Sequence, residues 1–402
     1  MVRVLTLSTL FPDATRPNFG VFVERQTRGL AAADGVEVRV VAPIGLPPGP
    51  LARIQHADKL TLPQREQWKG LDVYRPRFAS IPAVRGRWHV DRLVRALTPL
   101  LDQIRADFPF DVIDASFFFP DGPAAVVLGK RYGVPVSIKA RGADIHHWGR
   151  QRPTATQVIA AAQAADGLLA VSASMRDDMA ALGMPADRIR VHHTGVDLDR
   201  FRPVEDRSVA KAALGLAGPL VLSLGALIPR KGHDLVIEAV AALPDVSLAI
   251  AGNGPERDRL IARGAELGLG DRLHMLGSVP HGDLPAICAA ADVMALASAS
   301  EGLANAWIEA LACGTPIVIS DAGGARELVT SRAAGRIVPR DAGAFATAIA
   351  ELLAAPPEPK AVRASALPFT WEANTAALVD HLCGLVARYR RDAVPMPQAS
   401  RG

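Results

Sequence analysis

Short apolar runs of strand length alternate with helix-like segments along nearly the whole chain, and this alternation leaves few folds open. In the first half the strand-like runs fall at residues 2–7, 36–41, 72–74, 112–115, 135–139 and 167–171. Helix-like segments lie between them at 21–33, 90–104, 122–131, 154–165 and 173–182. The second half repeats the pattern, with strands expected at 220–225, 247–251, 273–276, 293–297 and 315–320. Its helices are expected at 233–243, 256–267, 283–289 and 303–313. A strand, a crossover helix and a further strand return the chain to the same end of a sheet, so repetition builds parallel sheets with helices on both faces. Composition agrees, because 49% hydrophobic residues with only 5% aromatics suits alanine-, valine- and leucine-rich strands covered on both sides. At 402 residues two such domains are expected, facing across a cleft that receives ligands at the carboxyl ends of the strands.

The expected division is 1–195 for the first domain, 196–367 for the second, 368–390 for a C-terminal helix crossing back, and 391–402 for a flexible tail. The break sits where Gly195-Val196-Asp197 and Arg202-Pro203 interrupt the alternation, and a proline-rich gap at Pro356-Pro357-Glu358-Pro359 precedes the last helix. A net charge of +4 fits a phosphate-bearing ligand or an anionic membrane surface, and is too weak to point to nucleic acid. The three cysteines (Cys288, Cys313, Cys383) lie in apolar helical contexts and read as buried thiols of a reducing compartment. No apolar run is long enough to span a bilayer and no secretory signal is evident, so a cytoplasmic location is expected.

The segment from Ser298 to Val318 carries the sharpest chemistry. Gly302 separates Glu301, on a loop, from a helix whose second turn carries Glu309. Unpaired amides at that helix start suit a phosphate, and a carboxylate on either side suits sugar hydroxyls. Three further segments, each after a strand, fit the same ligand. Arg230-Lys231-Gly232 sets two cations at a helix start, while Gly252-Asn253-Gly254-Pro255-Glu256 and Gly323-Gly324-Ala325-Arg326-Glu327 allow close backbone approach. Each alone is equally compatible with an ordinary surface pair or tight turn; their order gives them weight.

These segments, in this order, resemble the family-4 retaining glycosyltransferases of the GT-B fold (glycosyl transferases group 1). Glu301 to Glu309 resembles the family's E-x7-E segment, Gly195-Val196-Asp197 with Phe201-Arg202-Pro203 its interdomain segment, and Trp371-Glu372 its crossover helix. The resemblance runs from about residue 1 to 388 and is most specific in the second half. It implies a nucleotide-sugar donor (UDP or GDP), retention at the transferred carbon, no metal or other cofactor, and a glycan or polyprenyl-linked acceptor of polysaccharide synthesis. It further implies that Glu301 contacts the transferred sugar, Glu309 the ribose, and Lys231 the diphosphate, helped by the backbone of Gly302, Leu303, Ala304 and Asn305. Gly252 and Gly254 would approach the donor, and Gly277 and Val279 would line the base pocket.

Four positions depart from the family pattern. Ala226 stands where an arginine is common after Gly225, and Arg230 is the candidate to replace its charge. Thr194 replaces an asparagine, Cys288 an aromatic, and Arg141 a histidine near the reacting centre. Arg141 either orients a phosphate or hydroxyl or forms a buried ion pair with Asp144, and it is no general base at neutral pH. In the loop after the first strand, Gly20 is the candidate for close approach to donor phosphate. Asn18, Phe19, Asp121 and Asp144 are the candidate acceptor contacts. His146-His147 and His192-His193 lack companion ligands at metal-binding spacing. Arg75, Arg77, Arg85, Arg87, Arg92 and Arg95 gather beside an amphipathic helix, which is either packed on its own sheet with a solvated edge or docked on anionic lipid. An epimerase of similar fold, a glycosidase and an inactive nucleotide-binding protein are the competing readings. Product analysis without acceptor, nucleotide-independent activity and donor hydrolysis would separate them.

Overall fold

The computed structural model describes residues 1–81 and 86–392, apart from the side chains of Arg53 and Gln55. The chain forms two compact units. The first takes in Met1–Val171, Met175–His192 and the chain from Asn374 on; the second takes in Ser172–Ser174 and His193–Ala373.

The strands of the first unit are β1 (Val2–Leu7), β2 (Val36–Val41), β3 (Ile44–Leu46), β4 (Arg65–Trp68), β5 (Leu71–Tyr74), β6 (Arg77–Ala79), β7 (Val112–Ala115), β8 (Val136–Ala140), β9 (Gly167–Ala170) and β10 (Ile189–Val191). Eight of them make one sheet in the order β10-β9-β8-β7-β1-β2-β5-β4, while β3 and β6 pair separately. All pairs in the large sheet are parallel except β4–β5. The strand order reverses between β1 and β7, which pair in register Val4↔Val112. Such a reversal opens a crevice at the carboxyl ends of the two strands.

Helix His89–Asp107 buries Val90, Leu93, Leu97, Leu101 and Ile104, a single stripe at helical spacing. The arginine cluster foreseen beside it does not form one solvated band. Arg75 is 1% exposed, paired with Glu66 and donating to the Pro12 carbonyl at 2.8 Å. Arg77 donates to the carbonyls of Leu60 and Leu62 at 3.0 and 2.5 Å. Burying those cations without such acceptors would be costly, and the neighbouring backbone carbonyls provide them. Arg92 lies over the ring of Trp88, Arg87 and Arg95 remain exposed, and Arg85 lies outside the described residues.

The last helix, Trp371–Asp392, contributes Leu378, Leu382, Leu385 and Val386 to a core with Val4, Leu30, Val36, Val112 and Leu169. That apolar face is why the chain from Asn374 on belongs to the first unit. His192, the end of that unit's second segment, donates from Nε2 to the Asn374 carbonyl at 2.8 Å and accepts from Lys139 Nζ at Nδ1 at 2.7 Å. The helix continues past residue 390, and residues 393–402 of the foreseen tail lie outside the described ones.

The second unit contains β11 (Leu220–Leu224), β12 (Ser247–Ala251), β13 (Leu273–Gly277), β14 (Val293–Leu296), β15 (Ile317–Ser320) and β16 (Gly335–Val338), all parallel, in the order β13-β12-β11-β14-β15-β16. The order reverses between β11 and β14. The helix expected from 303 to 313 spans Asn305–Ala312, with Ala304 extended at its N-cap. Gly195 meets Trp371 so closely that a Cβ on it would lie 2.6 Å from the indole. Val196 N donates to the Phe369 carbonyl at 2.8 Å beside that contact. The foreseen domain break at 195/196 thus sits inside the second unit, which takes up the chain from His193.

Candidate active site

The chemistry of the second unit gathers where its strand order reverses. The loop after β11 carries Arg230 and Lys231 in a single 3₁₀ turn, Pro229–Lys231, and Gly232 then starts helix His233–Ala241. The loop after β14 carries Ser298 and Glu301. Strands β11 and β14 are neighbours, so residues seventy positions apart meet. Lys231 Nζ lies 2.5 Å from Glu301 Oε1, Ser298 Oγ donates to the same oxygen at 2.6 Å, and Arg230 Nη1 lies 3.5 Å from Oε2. Arg230 also donates to the Ser300 carbonyl. Glu301 is 7% exposed. Burial alone would raise its carboxyl pKa, but the charges of Lys231 and Arg230 and its hydrogen bonds hold it below the ordinary value. Two cations on one buried carboxylate form a cluster able to exchange partners with an incoming anion.

Around this cluster the glycine segments pack backbone on backbone. Gly252, at φ 154, lies so close to the β11 loop that a Cβ would sit 1.8 Å from the Gly225 carbonyl oxygen. Gly324 N donates to the Gly302 carbonyl at 2.8 Å, and Ser172 Oγ donates to that same carbonyl at 3.1 Å. Glycine at 252 is therefore demanded by loop-to-loop packing, whatever a ligand adds. Gly277, at the end of β13, accepts from Gly252 N at 2.8 Å, and Val279 follows in the next loop, half-buried.

Glu309 is 8% exposed, and His281 Nε2 donates to its Oε1 at 2.9 Å. No side chain caps the start of its helix, so the first-turn amides near Ala304 and Asn305 keep their capacity for an anion. His281 and Ser298 escaped the reading of the sequence. The clue for Ser298 was its place three residues before Glu301; His281 gave none, because its partner is 28 residues away on another element. His233 is also buried, accepting from Ser223 Oγ at Nδ1 (2.9 Å), and burial lowers its pKa to about 4. A neutral imidazole thus supports the turn that carries Lys231.

In the first unit the candidates separate. Asp144 accepts from the backbone amides of Phe118 (3.0 Å), Arg141 (3.0 Å) and Gly142 (2.7 Å). Both its oxygens are engaged in shaping the loop after β8. Arg141 makes no side-chain ion pair with it; the guanidinium donates to the Ser116 carbonyl at 2.6 Å and to Gln26 Oε1 at 3.2 Å, and lies over Phe22. Asp121 joins the loops after β7 and β1, accepting from Thr9 N and Oγ1 at 2.8 and 3.2 Å. Asn18 and Phe19 are exposed, with Arg16 over the Phe19 ring. Gly20 starts helix Val21–Ala32 at φ 69, where a Cβ would lie 2.5 Å from the Leu10 carbonyl oxygen. The paired histidines serve other groups: His146 meets Asp178, His147 meets Gln151, and His193 meets Glu327.

Burial raises the Asp121 carboxyl to about 7, and its Oδ1 has no hydrogen-bond partner. A folded-state pKa above the unfolded value of 3.8 adds stability that is full below pH 4 and is lost as pH rises toward 7. Relative to Asp121→Asn, the wild-type protein should therefore lose about 4 kcal/mol between pH 4 and pH 7 and then level off. Urea midpoints of both proteins across that range test this; parallel curves would refute it.

Comparison with known proteins gives a consistent picture. Residues 205–367 match the family described as "Glycosyl transferases group 1", and residues 20–200 match "Glycosyltransferase Family 4". The GDP-mannose-dependent alpha-(1-6)-phosphatidylinositol monomannoside mannosyltransferase of Mycolicibacterium smegmatis is 30% identical, over 72% of this chain and 80% of its own. Among solved structures, sucrose-phosphate synthase from Thermosynechococcus elongatus superposes with a TM-score of 0.82 at 23% identity, covering 96% of this chain and 100% of its own. Anabaena HepE in complex with UDP-glucose gives 0.66 at 20% identity, covering 98% and 99%. Two units with parallel sheets, matched successively by both family descriptions and by a relative across most of its length, make this chain a member of the group 1/family 4 glycosyltransferases of the GT-B fold.

Proposed function

We propose that the protein is a retaining transferase that moves a sugar from a nucleoside diphosphate donor to a hydroxyl of a glycan or lipid-linked precursor. The convergence of Lys231 and Arg230 on Glu301, where the strand order of the second unit reverses, carries this reading. In it the donor diphosphate takes over the two cations, freeing the Glu301 oxygens for hydroxyls of the transferred sugar. Glu309 holds the ribose, and the backbone from Gly302 to Asn305 supports the phosphates. The bond from the anomeric carbon to phosphate breaks as the bond to the acceptor oxygen forms on the same face. The acceptor proton passes to the departing phosphate oxygen, so no protein base is required. Lys231 and Arg230 neutralise the growing charge, and the proposal extends to transfer without a metal.

A uridine or guanosine donor is in keeping with relatives described as GDP-mannose-dependent or bound to UDP-glucose. Polysaccharide synthesis in the cytoplasm, with peripheral membrane contact when the acceptor is lipid-linked, completes the proposal. Among the described residues no helix is long and apolar enough to cross a membrane.

Two variants test the assignment of parts. Glu309→Ala should weaken UDP or GDP binding about tenfold with little change in kcat, since it removes a contact made equally in ground and transition states. Glu301→Ala should lower kcat about 100-fold while nucleotide affinity changes little. Calorimetric titration with each nucleotide, beside steady-state kinetics on a nucleotide-sugar panel, reads both effects. Matching profiles for the two variants would defeat the division of roles.

A further inference from the structure

The first unit has a cavity of about 250 Å³ at the carboxyl ends of β1, β2, β7 and β8, next to its own reversal of strand order. None of the candidate catalytic, donor or acceptor residues read from the sequence lines it. Its wall includes Arg16 and Lys59, the aromatic rings of Phe119 and Trp148, and His89 and Thr9. Two cations facing one small cavity repel each other unless something negative lies between them. Arg16 is partly neutralised by Asp13, whose Oδ2 lies 2.8 Å from Nη2. Lys59 has no ion-pair partner among the described residues. Burial first, and then the charge of Arg16, depress its pKa, with Asp58 and Asp13 only partly offsetting them. The cavity therefore holds an uncompensated positive charge at a half-buried ammonium.

The rest of the lining is rich in aromatic rings. Phe119 and Trp148 have ring centroids 5.1 Å apart, and His89 stacks on Phe119 at 6.4 Å. His89 loses basicity through burial and the nearby Arg92 charge, and its Nε2 meets Ser80 Oγ at 3.2 Å, so it adds surface rather than charge. Aromatic faces receive the C–H face of a pyranose or cyclitol ring, and Thr9 adds a polar rim. At about 250 Å³ the space falls below the ~300–1,000 Å³ of sites for drug-sized ligands, so it takes one ring with its substituent rather than an oligosaccharide.

We propose that this cavity binds a single sugar or cyclitol ring carrying an anionic group, phosphate or carboxylate, with Lys59 and Arg16 on the anion and Trp148 and Phe119 under the ring. This ligand is the acceptor, an assignment that rests on the transferase reading above; the binding of the anionic ring does not. The same chemistry is offered by a soluble sugar phosphate and by the headgroup of a phosphoinositide.

Binding of glucose 6-phosphate, myo-inositol 1-phosphate, glucuronate, glucose and inorganic phosphate to the full chain, read by ligand-observed NMR, tests this. The charged rings are expected to bind at least about tenfold more tightly than glucose and than inorganic phosphate, because a charge-assisted contact and a stacked ring act together. Lys59→Met should abolish the preference over glucose, Lys59→Arg should restore it, and Trp148→Ala should weaken charged and neutral rings alike. Vesicles of phosphatidylcholine with and without phosphatidylinositol distinguish the sources. Preferential retention on phosphatidylinositol, lost in Lys59→Met, points to a lipid headgroup, and binding of the soluble phosphates alone points to a free acceptor. Equal affinity for glucose and glucose 6-phosphate, or a preference unchanged in a folded Lys59→Met protein, would overturn the proposal. UDP- and GDP-sugar binding is measured on the same samples. Nucleotide-sugar binding without selective binding of charged rings defeats the cavity assignment alone, and the converse defeats the transferase reading alone.

Discussion

Lys231→Ala is expected to lower kcat for sugar transfer by about 10²–10³-fold, the usual loss when a preorganised charge aimed at a developing anion is removed. Lys231 is the better placed of the two cations, with its side chain 14% exposed against 37% for Arg230. Water screens Arg230 more, so Arg230→Ala should cost only about tenfold. Arg230 matters for a second reason: it is the candidate to supply the charge that Ala226 lacks after Gly225, and unchanged turnover in Arg230→Ala would end that assignment. Lys231→Ala also leaves the buried Glu301 carboxylate with the Ser298 hydroxyl and only the more distant cation, Arg230, which costs stability. Thermal midpoints must accompany the kinetics, at a temperature where both proteins are folded. The assay is run with and without EDTA. Equal wild-type rates would support transfer without a metal, and a rate abolished by EDTA and restored by a divalent cation would refute that part. Turnover in Lys231→Ala within twofold of wild type would remove Lys231 from the mechanism.

Gly252→Ala should be strongly destabilising, as one of two positions in the second unit, with Gly335, where an added Cβ would lie 1.8 Å from a backbone oxygen. The new Cβ would lie 1.8 Å from the Gly225 carbonyl oxygen, at a φ of 154 that side chains rarely adopt. Neither strand end yields easily: Gly225 N is bonded to the Ala251 carbonyl at 3.0 Å and Gly252 N to the Gly277 carbonyl at 2.8 Å. Backbone strain and overpacking each cost about 1–3 kcal/mol, so a loss of about 2–6 kcal/mol is expected. For a unit of this size that lowers the melting temperature by roughly 5–20 °C in scanning calorimetry. Gly282→Ala is the control, because a Cβ there has nothing within 4 Å; it should change stability by less than about 0.5 kcal/mol. Similar melting temperatures for the two variants would show that the β11 and β12 loops are not locked together.

The alternation of elements was readable because both sheets are largely parallel with central strands covered on both faces, which imposes continuous apolar runs such as Gly167–Ala170 and Val293–Leu296. Short or half-exposed elements were not. Strands β3, β4 and β6 carry a few mixed residues each, too few for a period to emerge. Arg75 misled for a related reason. Its charge marks it as a surface residue, yet the Glu66 carboxylate and the Pro12 carbonyl let it lie 1% exposed.

The candidate site divides along the same line. Glu301 on its loop, Glu309 on the second turn of a helix and Lys231 before Gly232 are all local facts, set by a glycine, a helical stretch and a strand end within a dozen residues. Sequence alone therefore determined the alternation of the longer elements, the family and the candidate residues of the proposed donor site. Their partners were decided only in three dimensions. That Lys231 and Arg230 share one carboxylate follows from β11 lying beside β14, a neighbour relation between distant segments. The same holds for His281 on Glu309, for the glycine at 252 demanded by a carbonyl of another loop, and for Lys59 and Trp148 on one cavity. Backbone preference acts over a few residues, whereas charge pairing and packing act through space, so a chain declares its elements locally and its partners only once it is folded.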